Sequence, residues 1–265
     1  MSSSGDGDVL AGAYASGAKL QARIDIYEYQ HPRVDFHAFA LDHLDLRGDE
    51  QVLDVGCGTA IALGRLATRG TGLALVGIDR SPGMVSESRG RERTERVRWV
   101  AGDVGALPTP DRAYDVVLAM HMLYHASDVE AAVGELRRVL RPTGTLLATT
   151  LGRRHMGELH DLANEILAGA HLDRPSLRFG IDDADLLRRH FSSVELDRLR
   201  GELVLDAPDP LVRYLDSARD LFEPTLPPGI TWTRVIDHVE RRLRDEIAAH
   251  DRFTVTTDSG VLICQ

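Results

Sequence analysis

The sequence predicts an α/β fold with a doubly wound, mostly parallel β-sheet, and two features of the chain lead to that prediction. Residues 51–151 alternate short apolar runs with segments of helical length, which is the order of elements in a parallel sheet. A glycine-containing turn stands where the first apolar run passes into the first helical segment. The length of 265 residues fits one large domain or two small ones.

Five apolar runs are expected to form the strands of this sheet, and the clearest helix lies between the fourth and the fifth. The runs are 51–55, 73–78, 97–100, 114–119 and 144–149. Ser127 and Glu130 match a capping box at the start of that helix. Pro142 and Gly144 are expected to end it.

The flanking segments predict further helices and two closing strands. Residues 9–46 are expected to be helical with a break at Pro32, and residues 155–170 and 181–190 to be helical too. A strand is expected at 193–205. The apolar positions Ile236, Val239, Leu243 and Ile247 indicate an amphipathic helix. A hairpin is expected at the end, with strands at 253–257 and 261–264 separated by 258–260.

We accordingly predict four segments along the chain. These are an N-terminal helical cap at 1–46, a ligand-binding core at 47–206, a helical lid at 207–250 and a closing strand at 251–265.

The strongest signal for a ligand site is the segment Val52-Leu-Asp-Val-Gly-Cys-Gly-Thr-Ala60. Gly56 and Gly58 allow a tight turn and a close approach of the backbone to a ligand, and the helix that follows directs free N–H groups at it. Asp54 can accept a hydrogen bond from a cationic group. A simple glycine-rich turn is the competing interpretation.

Two further carboxylates strengthen the ligand interpretation. Asp79 ends the predicted second strand 21 residues after Gly58, the spacing at which a carboxylate binds the ribose hydroxyls of a nucleoside. Asp103 ends the third strand, where it can accept from the exocyclic amine of adenine. Because ligands of such sheets bind at the carboxyl ends of the strands, the three aspartates are expected at one edge.

Together these segments resemble the class I S-adenosylmethionine-dependent methyltransferases, and among them the small-molecule enzymes of the methyltransferase type 11 kind. The resemblance covers about residues 10–151. It rests on the segments 52–59, 77–84, 101–104, 114–125 and 135–142. The chain has Ala60 where the family usually has a third glycine, and Thr143-Gly144 where it usually has two glycines.

The resemblance implies a Rossmann-like sheet of seven strands with an antiparallel last strand, and S-adenosylmethionine as cofactor, with S-adenosylhomocysteine as its product. Arg23 could pair with the methionine carboxylate of the cofactor, and Tyr14 could close over it; the alternative is that Arg23 is a surface arginine on a helix. The full set of implied cofactor-binding residues is Tyr14, Arg23, Asp54, Gly56, Gly58, Asp79, Arg80, Met84, Asp103, Val104 and Met120.

Two other functions stay open at this point. A dinucleotide-dependent oxidoreductase would need its third glycine at position 61, where the chain has Ile61. Because a fold does not establish an activity, a non-catalytic S-adenosylmethionine-binding regulatory protein is the second alternative. Such a protein would bind the cofactor without producing S-adenosylhomocysteine.

The positions of the aromatic residues point to the kind of methyl acceptor. Within residues 47–152 there are only Trp99, Tyr114 and Tyr124. The other aromatic residues either pack the flanking helices or line an apolar pocket under a lid, and the second possibility predicts a small, apolar or aromatic acceptor from secondary metabolism. Its expected contacts are Tyr27, Tyr29, His121, Tyr124, Tyr214 and Trp232.

His121 and His125 are the candidate catalytic residues, because they follow the predicted fourth strand. A histidine with an unperturbed pKa of about 6.5 can accept a proton at neutral pH. His121 is predicted to be the base or to orient the acceptor, with His125 behind it; the alternative is that both only shape the pocket. No metal is expected, since a zinc-protease motif would need Glu at position 122, where Met122 stands.

Composition and charge exclude several classes of protein and partner. With 43% hydrophobic and 27% charged residues, the chain is neither disordered nor collagen-like. Its two cysteines do not make a disulfide scaffold and fit a reducing cytoplasm. A formal charge of −10 disfavours a nucleic-acid partner. Neither a signal peptide nor a membrane span is predicted, and the expected state is a monomer or homodimer.

Overall fold

The predicted alternation of strands and helices is present in the computed structural model, which describes residues 17–69, 72–90, 96–167, 169–172 and 178–265. The strands are β1 (Gln30–His31), β2 (Gln51–Val55), β3 (Ala74–Asp79), β4 (Arg98–Ala101), β5 (Tyr114–Met120), β6 (Leu140–Leu151), β7 (Val194–Leu205) and β8 (Phe253–Cys264).

The helices come before, between and after these strands. They are α1 (Gly17–Asp25), α2 (Phe36–Leu41), α3 (Ile61–Arg69), α4 (Pro82–Arg89), α5 (Val129–Val139), α6 (Gly157–Asn164), α7 (Ala184–Arg188), α8 (Asp209–Ser217), α9 (Arg219–Phe222) and α10 (Trp232–His250). Short 3-10 turns occupy Ile26–Tyr29, Leu123–His125, Ile181–Asp183 and Glu223–Thr225. Among the described residues, no helix is both long enough and apolar enough to cross a bilayer.

The eight strands form one sheet in the order β1-β7-β8-β6-β5-β2-β3-β4. Strand β2 pairs in parallel with β3 and β5, β3 with β4, and β5 with β6. Strand β8 runs antiparallel to β6, and β1 runs antiparallel to β7. The mostly parallel sheet with an antiparallel closing strand is therefore confirmed, and the two-residue β1 makes the strand count eight where the resemblance implied seven.

By their contacts, the described residues fall into two compact units. The helical unit comprises the described residues of Met1–Val34, Arg153–Arg174 and Leu199–Asp258. The sheet unit comprises those of Asp35–Gly152, Pro175–Arg198 and Ser259–Gln265. The boundaries between these two units differ from the predicted segment ends at residues 46, 206 and 250.

The sheet unit has apolar side chains on both faces of its sheet. Successive residues of β2 alternate between two buried clusters, with Leu53 in one and Val52 in the other. The first cluster also holds residues of α5 such as Leu136, and the second holds residues of α3 such as Leu63. This explains why the strands read as continuous apolar runs in the sequence.

The helical unit has a core of its own, formed mainly by its helices. Trp232, Val235, Val239 and Leu243 of α10 are buried there, together with residues of α6 and α8. The predicted amphipathic helix at 236–247 is thus confirmed, and it extends over Trp232–His250.

Three local predictions were wrong. Residues 253–264 form one continuous strand rather than a hairpin. Gly260 is paired with Thr150 in the sheet, and a Cβ at Gly260 would lie 2.8 Å from Cγ1 of Ile181, so this glycine allows close packing rather than a turn. The N-cap of α5 is Asp128, whose carboxylate accepts from the amide of Ala131, rather than Ser127. Strand β6 starts at Leu140, ahead of Pro142.

Candidate active site

The glycine loop leaves β2 in a left-handed backbone conformation. Gly56 has φ 68° and Gly58 has φ 51°, values that favour glycine. A Cβ at Gly56 would lie 2.8 Å from Cβ of Met122, so a side chain there would collide. Ala60 has φ 58° and so occupies the same backbone region with a methyl group. The amides of Gly56 and Cys57 donate to the carbonyl of Ile78, which anchors the loop to β3.

Asp54 is a buried carboxylate next to this loop. The residue is 2% exposed, and its Oδ1 has no hydrogen-bond partner among the described residues. Burial, and to a smaller extent the charge of Asp79, raises the pKa of Asp54 to about 8. An unsatisfied buried carboxyl oxygen is costly unless a ligand supplies a donor. The site therefore fits a cationic or hydrogen-bond-donating group of a ligand.

Asp79 links the glycine loop to the start of α4. Its Oδ2 accepts from the amide of Gly58 at 2.8 Å, and its Oδ1 accepts from the amide of Ser81 at 2.8 Å. Each carboxylate oxygen has a second acceptor position, so the same side chain can also receive two hydroxyl groups of a ligand.

Asp103 lies just after β4 and next to Arg80. Its Oδ1 accepts from the amide of Gly105 at 2.8 Å, and its Oδ2 is 3.7 Å from a guanidinium nitrogen of Arg80. The parallel register places Asp54 opposite Gly77 and Asp79 opposite Ala101. The carboxyl ends of β2, β3 and β4 thus meet at one edge, as the sequence predicts.

Three apolar residues of the implied cofactor set lie in the same unit. Met84 in α4 and Val104 after β4 are buried, and Met120 at the end of β5 is partly buried. Apolar side chains beside polar carboxylates are the combination that small-molecule sites show.

His121 follows β5 in a conformation that few non-glycine residues adopt. Its φ is 50°. Its amide donates to the carbonyl and the Oγ1 of Thr149, at 3.2 and 3.0 Å. Its ring lies 5.0 Å from the ring of Phe36 and 6.5 Å from that of Tyr124, centroid to centroid. Left-handed strain at a side chain with several fixed neighbours is typical of functional sites.

Tyr124 and His125 belong to the 3-10 turn Leu123–His125. Their rings meet edge to face with centroids 4.5 Å apart, and Tyr124 is buried. His121 lies outside that turn, so the two histidines do not share a helical face. Within the described part of the chain, no group of three His, Cys, Asp or Glu side chains is placed to hold a metal ion.

The other predicted ligand residues belong to the helical unit. Tyr29 and Tyr214 are partly buried against its core, and Trp232 is buried in it. The indole N–H of Trp232 donates to Asp216 at 2.7 Å, so its surroundings are those of a packing residue. A guanidinium nitrogen of Arg23 lies 3.2 Å from the carbonyl of Ser217. Tyr14 lies outside the described residues.

Three polar side chains contribute to these contacts without having been predicted. Thr149 holds the amide of His121, Ser88 donates to the carbonyl of Gly58 at 2.7 Å, and His155 lies 3.2 Å from the hydroxyl of Tyr27. No motif marks Thr149 or His155 in the sequence. For Ser88 the sequence offers only a weak indication, namely its place in the helix that follows Asp79.

Comparisons with known proteins agree with this arrangement. The model of the methyltransferase domain family matches residues 53–148. The malonyl-(acyl-carrier protein) O-methyltransferase of Serratia marcescens is 34% identical over 124 residues, which is 47% of this chain and 47% of that protein. The demethylmenaquinone methyltransferase of Tropheryma whipplei is 36% identical over 105 residues, covering 39% of this chain and 43% of that protein.

A solved structure is similar over most of its length. A putative methyltransferase from an antibiotic biosynthesis pathway of Anabaena variabilis has a TM-score of 0.59 and 17% identity, covering 87% of this chain and 96% of that one. At this identity the likeness shows the fold alone.

The residues that the family model matches include the glycine loop and the three carboxylates. The chain spans less than half the length of the two curated relatives. The matched domain is one that uses S-adenosylmethionine. The glycine loop fits that cofactor, and so does the Asp54 oxygen, which has no partner among the residues that the structure describes. Residues 53–148 of this chain thus match the methyltransferase domain family, and this part of the chain is similar to the class I S-adenosylmethionine-dependent methyltransferases.

Proposed function

We propose that this protein transfers the methyl group of S-adenosylmethionine to a small, apolar or aromatic acceptor of the natural-product type. The observation that carries the proposal is the meeting of a left-handed glycine loop with three carboxylates at the carboxyl edge of the sheet. We further propose that it acts in the cytoplasm, which its two buried free cysteines support. We also propose that it is a monomer or homodimer.

Residues of the sheet unit are proposed to bind the cofactor through its polar groups. Asp54 would pair with the cationic amino group, Asp79 would accept from the ribose hydroxyls, and Asp103 would accept from the adenine amine. Gly56 and Gly58 leave room for the backbone to approach, since neither carries a Cβ. When bound, S-adenosylmethionine supplies an activated methyl group on a sulfonium, so the protein needs mainly to align the acceptor and exclude water.

His121 is proposed to hold or remove the acceptor's proton at an imidazole nitrogen. Its backbone is fixed by two hydrogen bonds to Thr149, and its ring is bordered by Phe36 and Tyr124. A fixed ring presents its nitrogens in a constant direction, which general-base catalysis requires.

The acceptor class is supported by the aromatic content of the helical unit and by relatives. Tyr27, Tyr29 and Tyr214 keep part of their surface accessible beside an apolar core. One relative is named as a demethylmenaquinone methyltransferase and another as a malonyl-(acyl-carrier protein) O-methyltransferase. We propose Tyr27, Tyr29 and Tyr214 as side chains that contact the acceptor.

The test is methyl transfer from labelled S-adenosylmethionine to a panel of phenols, quinones and acyl thioesters, with formation of S-adenosylhomocysteine measured alongside. We expect labelled product with at least one aromatic acceptor and none without acceptor. Tight binding of S-adenosylhomocysteine with no product from any acceptor class would contradict an enzymatic role.

A further inference from the structure

The loop that joins β4 to β5 is attached to helix α5 by one arginine, Arg138. Its Nη1 donates to the carbonyl of Thr109 at 3.0 Å and to Oδ1 of Asp111 at 2.6 Å. Its Nη2 donates to the carbonyl of Leu107 at 3.0 Å. Its Nε and Nη2 also donate to the two carboxylate oxygens of Glu135, at 2.7 and 2.8 Å. All five N–H donors of the guanidinium are therefore used, and three of them hold the β4–β5 loop.

Glu135 completes the attachment from the same helix. Its Oε2 accepts from the amide of Leu107 at 2.8 Å, so side chains of α5 bind both polar backbone groups of Leu107. The hydrogen bond from Arg138 holds the pKa of Glu135 below its ordinary value, so both side chains are charged at neutral pH. Charge-assisted hydrogen bonds of this forked kind are about twice as strong as neutral ones. The attachment thus restrains the backbone of the loop at Leu107.

The restrained part of the loop packs against the residue that precedes Asp103. A Cβ placed on Gly102 would lie 2.9 Å from Cδ of Pro108, so the proline ring is in close contact with the backbone there. The two chain neighbours of Pro108 carry the backbone carbonyls that Arg138 binds. The position of Asp103 therefore depends on a loop whose own position depends on Arg138.

The same loop also bonds to Asp103 directly. Oδ1 of Asp103 accepts from the amide of Gly105 at 2.8 Å, and its carbonyl accepts from the amide of Ala106 at 3.1 Å. The side chain of Asp103 is 52% exposed, so a ligand can reach its carboxylate. All of these groups, and Arg138 with Glu135, belong to the sheet unit.

We infer that Arg138, together with Glu135, is a positioning residue for recognition of the adenine base. By fixing the β4–β5 loop, it holds the carboxylate of Asp103 where that group accepts from the exocyclic amine. Arg138 acts through the loop rather than on the base itself. The inference rests on the proposed function for the contact between Asp103 and adenine. Its consequence is that the preference for a base with an amino group depends on side chains of α5.

The test compares the binding of S-adenosylhomocysteine with that of S-inosylhomocysteine, in which a carbonyl oxygen replaces the amine of the base. An amine can donate to a carboxylate, whereas a carbonyl oxygen can only accept. By titration calorimetry, the wild-type chain should bind S-adenosylhomocysteine about ten- to hundredfold more tightly, the effect of one hydrogen bond to a charged group. Asp103→Ala should lose this preference.

Arg138→Lys keeps the positive charge, but its single ammonium nitrogen cannot form the fork to Glu135 while it holds the loop. We expect it to bind S-adenosylhomocysteine about tenfold more weakly and S-inosylhomocysteine nearly as well as the wild type does. A general loss of structure would instead weaken both ligands equally and leave the preference intact. Glu135→Gln changes the shape of the pair little and should lower the preference in the same direction; it decides the question if Arg138→Lys does not fold.

Arg141→Lys is the matched control, because Arg141 also pairs with a partly buried carboxylate of the sheet unit, Asp115. That pair lies at the amino ends of β2 and β5, where Asp115 accepts from the amide of Gln51, so the variant should keep the wild-type preference. A wild type without a preference would overturn the inference, and so would a preference that survives both Arg138→Lys and Glu135→Gln or is lost equally in Arg141→Lys. Methyl transfer is measured separately, so a preference that depends on Arg138 in a chain without turnover would refute the proposed function alone.

Discussion

Asp54 makes the stability of the chain depend on pH through its burial. Its pKa in the folded state is about 8, above the ordinary value of 3.8. Between these values the folded chain binds more protons than the unfolded chain, so this group's contribution to stability is greatest below pH 4 and is lost as the pH rises toward 8. The loss amounts to as much as about 1.4 kcal/mol per pH unit.

We therefore expect Asp54→Asn to flatten the pH dependence of the free energy of unfolding between pH 5 and pH 8, and to be more stable than the wild type at pH 8. Urea unfolding at several pH values measures this. Asp115→Asn is the opposite control: its carboxylate accepts from the amide of Gln51 and pairs with Arg141, contacts that lower the pKa of Asp115 despite its partial burial. A wild-type curve as flat as that of Asp54→Asn would show that Asp54 is ionised at neutral pH.

Asp79 offers a test of cofactor binding at a single side chain. Hydrogen bonds to a charged group contribute roughly 1.5–3 kcal/mol each. Asp79→Ala should thus lower the affinity for S-adenosylhomocysteine by about tenfold or more, as titration calorimetry would show. Part of the loss comes from the amides of Gly58 and Ser81, which lose their acceptor. Asp185→Ala, at an exposed ion pair with Arg188, should leave the affinity unchanged; equal losses in both variants would rule out a role for Asp79.

His121 offers a test of chemistry rather than binding. His121→Ala and His121→Asn should keep the affinity for S-adenosylhomocysteine and lose about 10²–10⁴ in turnover, the range that general bases contribute. Recovery of most of the rate by Asn would indicate that His121 only orients the acceptor, and full activity of both variants would remove it from the mechanism.

At the level of elements, helix α5 allows a test of which of two neighbouring residues, Ser127 or Asp128, is its N-cap. Asp128 accepts from the amide of Ala131 at 3.0 Å. Asp128→Ala should lower the free energy of unfolding by about 0.5–2 kcal/mol, the usual effect of losing a cap. Ser127→Ala should change it little, because Ser127 lies outside the cap. Chemical denaturation of both variants measures the difference, and a larger effect at Ser127 would place the cap where the sequence had suggested it.

The sequence predicted best those strands whose residues are apolar because both faces of the strand are buried. Strands β2, β3 and β5 are buried on both faces, so their apolar runs gave their bounds to within a residue. The prediction of a hairpin turn at residues 258–260 was wrong because Asp258 and Gly260 are typical turn residues, whereas both are buried within a continuous strand in this structure. A glycine selected for close packing is indistinguishable from a turn glycine without its neighbours.

The candidate site divides in the same way. The spacing of Asp54, Asp79 and Asp103 along the chain was sufficient to predict that they lie at one edge of the sheet, because the carboxyl ends of parallel strands meet at the same edge. Spacing could not reveal His155, whose partners Tyr27 and Asp258 are 128 and 103 residues away. Contacts between such distant residues follow from the packing of the helical unit, which has no family pattern in this sequence.

For the whole molecule, cofactor binding should appear as thermal stabilisation. A ligand that binds only the folded state stabilises it by about 2.7 kcal/mol at a concentration one hundred times its Kd. S-adenosylmethionine and S-adenosylhomocysteine should therefore raise the Tm by several degrees, as differential scanning fluorimetry would show. NAD and NADP are the controls and should leave the Tm unchanged; stabilisation by NAD alone would contradict the assignment to the methyltransferases.

The place of β8 in the sheet has a consequence for how the protein is made. Its residues 259–264 cover the edge of β6, which is synthesised more than a hundred residues earlier. Until that segment leaves the ribosome, the nascent chain presents β6 as an open strand edge, and such edges invite pairing with other chains. Cells that express this protein faster than chaperones can shield that edge should accumulate it as aggregates. A lower overall rate of synthesis should reduce this aggregation more than slower translation of the codons between β6 and β8.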